Sequence, residues 1–130
     1  AKKIKNAWKE RQHTPKIPIL YSDKKDYLFL KNLAKAIDLT FMKSHLIEAT
    51  PQKKWDLFLD NKNIKLIIAP DYIIHKNKEL MKFYKEDESK KNFFLKNSAL
   101  ILLPDINMYL KDSYLKRSLW NAIRNKIDTL

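Results

Sequence analysis

Nothing in this chain constrains its fold more than the stretch 97–127. Ser98–Leu103 (SALILL) is an unbroken apolar run of strand length, closed by Pro104-Asp105. Asp105 carries the kind of side chain that a following helix start favours. From Ser113 the apolar residues Leu115, Leu119, Ile123 and Ile127 recur four apart with Trp120 beside them, a spacing that predicts an amphipathic helix. A wholly apolar strand followed by such a helix is the repeating unit of an α/β domain, in which the strand is covered on both faces.

The same unit recurs upstream. Ile17–Tyr21 reads as a short strand ending in Ser22-Asp23, and a helix over 24–38 follows it. Leu30, Leu33, Ala34 and Ile37 form the inner stripe of that helix, while Tyr27 and Leu28 point away from it. A weaker strand over 45–49 leads to a helix with Thr50 as N-cap and Pro51 at its first position, and Trp55, Phe58 and Leu59 share one face. Residues 64–69 (IKLIIA) form a third strand, again closed by Pro-Asp at Pro70-Asp71. A helix over 76–84 presents Leu80, Phe83 and Tyr84 to the core, and KEDESKK reads as a charged, solvated loop before the SALILL strand. The expected architecture is an α/β fold built on a four-stranded parallel sheet with helices on both faces.

Glycine is absent, which excludes both the GxGxxG turn and the Walker-type phosphate loop. Turns are expected to use Asn, Asp, Ser and Pro instead. At 130 residues and 45% apolar, the chain reads as one folded domain over 17–130. A basic, mobile tail over 1–16 precedes it, apolar only at Ile4, Ala7 and Trp8. There are no cysteines, so disulfides and Cys-based zinc sites are excluded. No apolar run approaches the ~20 residues of a membrane span and no signal-peptide pattern precedes the domain, so a cytoplasmic location without membrane contact is the expectation.

The net charge of +12 invites a nucleic-acid reading. The lysines are spread over nearly every segment, however, and the joint richness in Lys, Asn and Ile is what an AT-rich coding bias produces. A basic single-stranded nucleic-acid-binding module, with lysines tracking phosphates and aromatics stacking on bases, is therefore the less favoured alternative.

Asp23, Asp71 and Asp105 each follow a predicted strand, at the sheet edge where α/β proteins bind ligands. Helix N-capping explains each of them singly, and it is preferred over a divalent-metal site. Pro70-Asp71 with Glu88-Ser89-Lys90 loosely matches a nuclease PD…ExK arrangement, but its ExK falls in a charged loop. His13, His45 and His75 have no metal-ligand spacing. No catalytic residue, cofactor or metal site is assigned. Residues off the inner stripes are the better candidates, as partner-binding anchors: Tyr27, Leu28, Tyr109, Tyr114 and Trp120.

The C-terminal block adds a resemblance. Leu110-Lys111-Asp112 followed by Leu115-Lys116-Arg117-Ser118-Leu119-Trp120-Asn121-Ala122-Ile123 resembles the last helix of the DNA polymerase III psi subunit family. Lys116, Leu119, Trp120 and Ile123 stand at the positions of its (K/R)-x-x-L-W-x-x-I-like end. The resemblance implies a uracil-DNA-glycosylase-like shape without catalysis; Tyr21-Ser22-Asp23-Lys24 lacks the Gly-Gln-Asp-Pro-like turn that a glycosylase would need. It further implies that the folded domain binds a chi-like subunit and that the tail around Trp8 docks on the gamma or tau subunits of the clamp loader. The resemblance thereby adds Trp8, Arg11 and Lys116 to the partner-binding candidates. Single-stranded-DNA-binding protein would be reached indirectly, through chi. The expected role is a non-catalytic adaptor of the replicative clamp loader.

Overall fold

Strands and helices alternate as the apolar spacing requires, and the sheet is wider than expected. The computed structural model describes residues 16–87, 89 and 92–130; most of the basic segment 1–16 and Glu88, Lys90 and Lys91 lie outside the described residues. In chain order the elements are β1 (Ile17–Tyr21), α1 (Lys24–Thr40), β2 (Ser44–Glu48), α2 (Trp55–Leu59), β3 (Leu66–Pro70), α3 (Asp71–Lys76) and α4 (Lys78–Phe83). They are followed by β4 (Tyr84–Asp87), β5 (Asn92–Leu95), β6 (Ser98–Leu103), α5 (Ile106–Lys111) and α6 (Ser113–Asp128).

The protein is an α/β fold with a six-stranded mixed sheet in the order β2-β1-β3-β6-β5-β4. The four expected strands form its parallel part, with β1 beside β2 and β3, and β3 beside β6. The four-stranded expectation is corrected by the β4–β5 hairpin, which adds two antiparallel strands next to β6. The segment read as the end of a helix and a charged loop is partly strand: α4 stops at Phe83, and Tyr84–Asp87 pairs with Asn92–Leu95.

Burial follows the period of two along each strand. Ile17, Ile19, Leu66, Ile68, Ala99 and Leu103 enter one core together with Leu30 and Ile37 of α1, Tyr109 of α5 and Leu119 and Ile123 of α6. The alternate positions Leu20, Ile67, Ala69 and Leu100 enter a second core with Trp55, Ile74, Leu80 and Leu95. Helices α1, α5 and α6 thus cover one face and α2, α3 and α4 the other, which is why the central strands show no polar alternation.

Helix starts are set by short polar side chains. Asp23 Oδ1 accepts from the Lys25 N–H at 2.9 Å, Asp105 Oδ1 from the Asn107 N–H at 3.0 Å, and Asp112 Oδ1 from the Tyr114 N–H at 2.9 Å. Asn77 Oδ1 accepts from both the Glu79 and Leu80 N–H groups. The expected start at Thr50-Pro51 is corrected: these residues form a turn, with the Lys53 N–H donating to the Thr50 carbonyl, and α2 begins only at Trp55. Burying the Trp55 ring fixes that later start. Among the described residues no helix is long and apolar enough to cross a membrane.

Candidate functional site

Two concave regions fall where the sequence placed candidate residues. The first lies at the carboxyl ends of the strands. The chain passes from β1 to β2 on one side and returns to β3 on the other, so the strand order reverses at β1/β3, the usual ligand crevice of an open α/β sheet. A cavity of about 660 Å³ opens there, lined by Ser22, Asp23, Ala49, Tyr72 and Lys76 among others.

Of the carboxylates at this sheet edge, Asp23 lines the cavity while Asp26, Asp71 and Asp105 line a neighbouring recess with Tyr72 and His75, and all four are engaged. Asp23 caps α1 and Asp105 caps α5, as helix-start chemistry anticipates. Asp71 does not cap: it is the first residue of α3, and its Oδ1 lies 2.6 Å from His75 Nε2 one turn along. Asp26 Oδ2 accepts from the Tyr72 hydroxyl at 2.8 Å. Burial, reinforced by that bond and the negative charge of Asp26, pushes the Tyr72 phenol up to about 12, so it stays a donor across the neutral range. Among the described residues no group of three or more His, Asp or Glu side chains could hold a metal ion. Glu88 and Lys90 of the nuclease-like match lie outside the described residues.

The second region is a groove of about 380 Å³ between α1 and the C-terminal helices. Helix α1 contributes Lys25, Leu28, Phe29, Asn32, Leu33 and Ala36, spaced three and four apart along the flank of its buried stripe. Leu110 closes one end from α5, and α6 contributes Lys116, Leu119 and Trp120. The Trp120 ring is half-buried against Phe41, with ring centroids 5.1 Å apart, and so presents a fixed apolar wall. Leu28 is 68% exposed and Leu110 58% exposed, a large apolar surface for two leucines on a lysine-rich exterior.

Of the residues singled out from sequence, Leu28, Lys116 and Trp120 are brought together around this groove. Tyr27 is not. It packs edge-on against Tyr21 at 5.3 Å, on the side of α1 that faces β2, where it lines a separate recess with His45 and Leu46. Tyr109, read as a surface anchor, is corrected to a core residue: it is buried and stacks on Phe29 at 5.4 Å. The reason is the break at Asp112, which makes α5 a separate short helix whose Ile106 and Tyr109, three apart, both face the sheet. Tyr114 is 71% exposed at the start of α6 and stands outside the groove lining. Trp8 and Arg11 lie outside the described residues.

Sequence reading missed Lys25, Phe29, Asn32, Ala36 and Leu110 as groove residues. Their signal is the α1 spacing one position off the buried stripe, which points to this flank only once α6 is known to pack beside it. No family model matches this chain, and no curated protein and no solved structure matches it.

Proposed function

We propose that the protein is a non-catalytic adaptor subunit of a bacterial replicative clamp loader, similar to the DNA polymerase III psi subunit. Its folded domain binds a chi-like subunit through the α1/α6 groove. The basic segment around Trp8 and Arg11 engages the gamma/tau collar, and single-stranded-DNA-binding protein is reached through the chi-like subunit. One observation carries this reading: Lys116, Leu119 and Trp120, the residues on which the resemblance rests, line an exposed apolar groove together with Leu28. An apolar groove walled by an aromatic ring and edged by charge has the composition of an interface core and rim. At the strand ends, the caps made by Asp23 and Asp105 and the bonds of Asp26 to Tyr72 and Asp71 to His75 are accounted for by the fold without a catalytic role, in keeping with the non-catalytic reading.

Co-expression with a chi-like subunit tests the reading. The two should co-purify in equal amounts, and Leu28→Glu should abolish the pairing while leaving the thermal midpoint unchanged, because Leu28 is exposed. If no chi-like subunit co-purifies under mild conditions, the adaptor assignment falls.

A nucleic-acid role is the second reading, favoured by Arg117 and Arg124. Both are exposed on α6, and neither has a carboxylate partner among the described residues. Salt separates the two. Phosphate binding weakens steeply as counterions are added, whereas an apolar interface tolerates them.

A further inference from the structure

The geometry points to an acidic amphipathic helix as the occupant of the α1/α6 groove. This deepens the adaptor reading by naming the chemistry of its partner, and it rests on that reading only in taking the groove to be a protein-binding surface. The floor is apolar, and the charged residues that line it are two lysines, Lys25 and Lys116, with no carboxylate among the lining residues. Two further exposed cations, Arg117 and Arg124, lie on α6. Arg117 stands three residues before Trp120 and Arg124 four residues after it, so all three share one stripe of α6. Seven residues separate Arg117 from Arg124, a rise of about 10 Å along α6, and both are exposed on the stripe that carries the groove residue Trp120.

Those features select among occupants. A second copy of this chain would bring another +12 of charge to a cationic rim. The chain's own basic segment is similarly mismatched, with Lys2, Lys3, Lys5, Lys9, Arg11 and Lys16 against Glu10 alone. A phosphate backbone would satisfy the cations but gain nothing from the exposed Leu28 and Leu110 side chains. A helix uses both elements. Its apolar anchors at i, i+3, i+4 and i+7 enter between α1 and α6. Its Asp or Glu side chains, two turns apart on one flank, match the spacing from Arg117 to Arg124, as flanking charges do in paired helices. Planar guanidinium groups suit such carboxylates better than lysines, because they pair bidentately.

The test is a calorimetric titration of the full chain with three synthetic helices. One has leucine anchors and glutamate flanks, the second replaces the glutamates by lysine, and the third replaces the leucines by alanine. The first should bind at least about tenfold tighter than either of the others, a gap set jointly by charge and by anchor burial. Leu28→Glu should weaken that binding about tenfold or more. The double change Arg117→Glu, Arg124→Glu should reverse the preference, so that the lysine-flanked helix becomes the better ligand. All three positions are exposed, and an unchanged thermal midpoint separates lost contacts from lost folding.

Equal affinity for the glutamate and lysine helices, no binding of any helix, or an affinity for the acidic helix that Leu28→Glu leaves unchanged would each overturn the inference. So would displacement of the acidic helix by an oligothymidylate whose own binding falls steeply with salt, which would assign the cations to nucleic acid. If the acidic helix binds as expected and no chi-like subunit co-purifies, the adaptor reading fails and the partner chemistry stands.

Discussion

Lys96 holds a left-handed backbone, φ 57°, in a chain without glycine. It sits in the two-residue connection of the β5–β6 hairpin, where Leu95 pairs with Ser98 and the chain must reverse at once. Asn97 supplies one residue of this turn, as expected of a chain without glycine, but the left-handed position falls to a lysine. A side chain with a Cβ costs about 1–2 kcal/mol there. Lys96 offsets part of this through an ion pair with Asp60 and by placing its Nζ 5.6 Å from the centre of the Phe83 ring. Lys96→Gly should therefore change stability little in the natural chain. In an Asp60→Ala background, where the ion pair is already gone, the same substitution should raise it by about 0.5–1 kcal/mol after allowance for the freer unfolded glycine. Urea unfolding of the four combinations checks this, and a loss in the Asp60→Ala background would contradict a strained turn. Tyr72 supplies a second residue-scale test. The folded state holds its phenolic proton up to about pH 12, whereas an unfolded tyrosine releases it near 10. The contribution is therefore complete below pH 10 and is lost as pH rises from about 10 to 12. Tyr72→Phe should cost about 1 kcal/mol at neutral pH and make the alkaline decline shallower. Burial also raises Tyr21, Tyr84 and Tyr109, so the decline persists in part.

Among elements, the β4–β5 hairpin is the one least legible in the sequence, and the reason is chemical. Strand β4 is Tyr-Lys-Glu-Asp, with Lys85 and Glu86 exposed, and it forms the outer edge of the sheet. Charged edge strands lack the β-branched, alternating signature that marks a strand, because their charges serve to prevent pairing with another molecule. Asn92–Leu95 carried a detectable signal in Phe93-Phe94-Leu95 followed by a two-residue break before SALILL, and Leu95 is fully buried. The central strands were legible because apolar runs of five or six residues, buried on both sides, have no other common use. Thr50-Pro51 misled because a good capping pair was followed by a turn instead of a helix, and the packing of Trp55 decided the matter. The edge reading makes a prediction. Replacing Lys85 and Glu86 by valine should leave the thermal midpoint within a few degrees of the natural value and sharply increase aggregation, measured by light scattering during refolding. The opposite end of the same hairpin is core, so Leu95→Ala should cost about 2–4 kcal/mol in chemical unfolding.

At the scale of the whole molecule, the two faces of the sheet divide the labour. One face, under α2, α3 and α4, is built on Trp55, Ile74 and Leu80 and borders the strand-end cavity through Tyr72 and Lys76, while the other, under α1, α5 and α6, carries the apolar groove. Sequence alone singled out Leu28 and Trp120 because they stand beside the buried stripes of their own helices, and Lys116 through the resemblance of the last helix. It could not rank Tyr27 and Tyr109 against them, since which flank of α1 meets α6 is a tertiary fact. An adaptor gains from two separate contacts, because the second binding event becomes intramolecular at a raised effective concentration. The groove and the basic segment around Trp8 are separate in sequence, so their effects should be separable. Trp8→Ala should weaken clamp-loader binding about 30-fold, the consequence of losing ~2 kcal/mol from a buried aromatic anchor, and should leave binding of a chi-like subunit and the thermal midpoint unaltered. Leu28→Glu should do the reverse, removing the chi-like subunit while clamp-loader affinity is retained. Surface binding assays on each variant against each partner give four values, and a variant that weakened both partners equally would mean that the two contacts share one surface and that the molecule does not bridge.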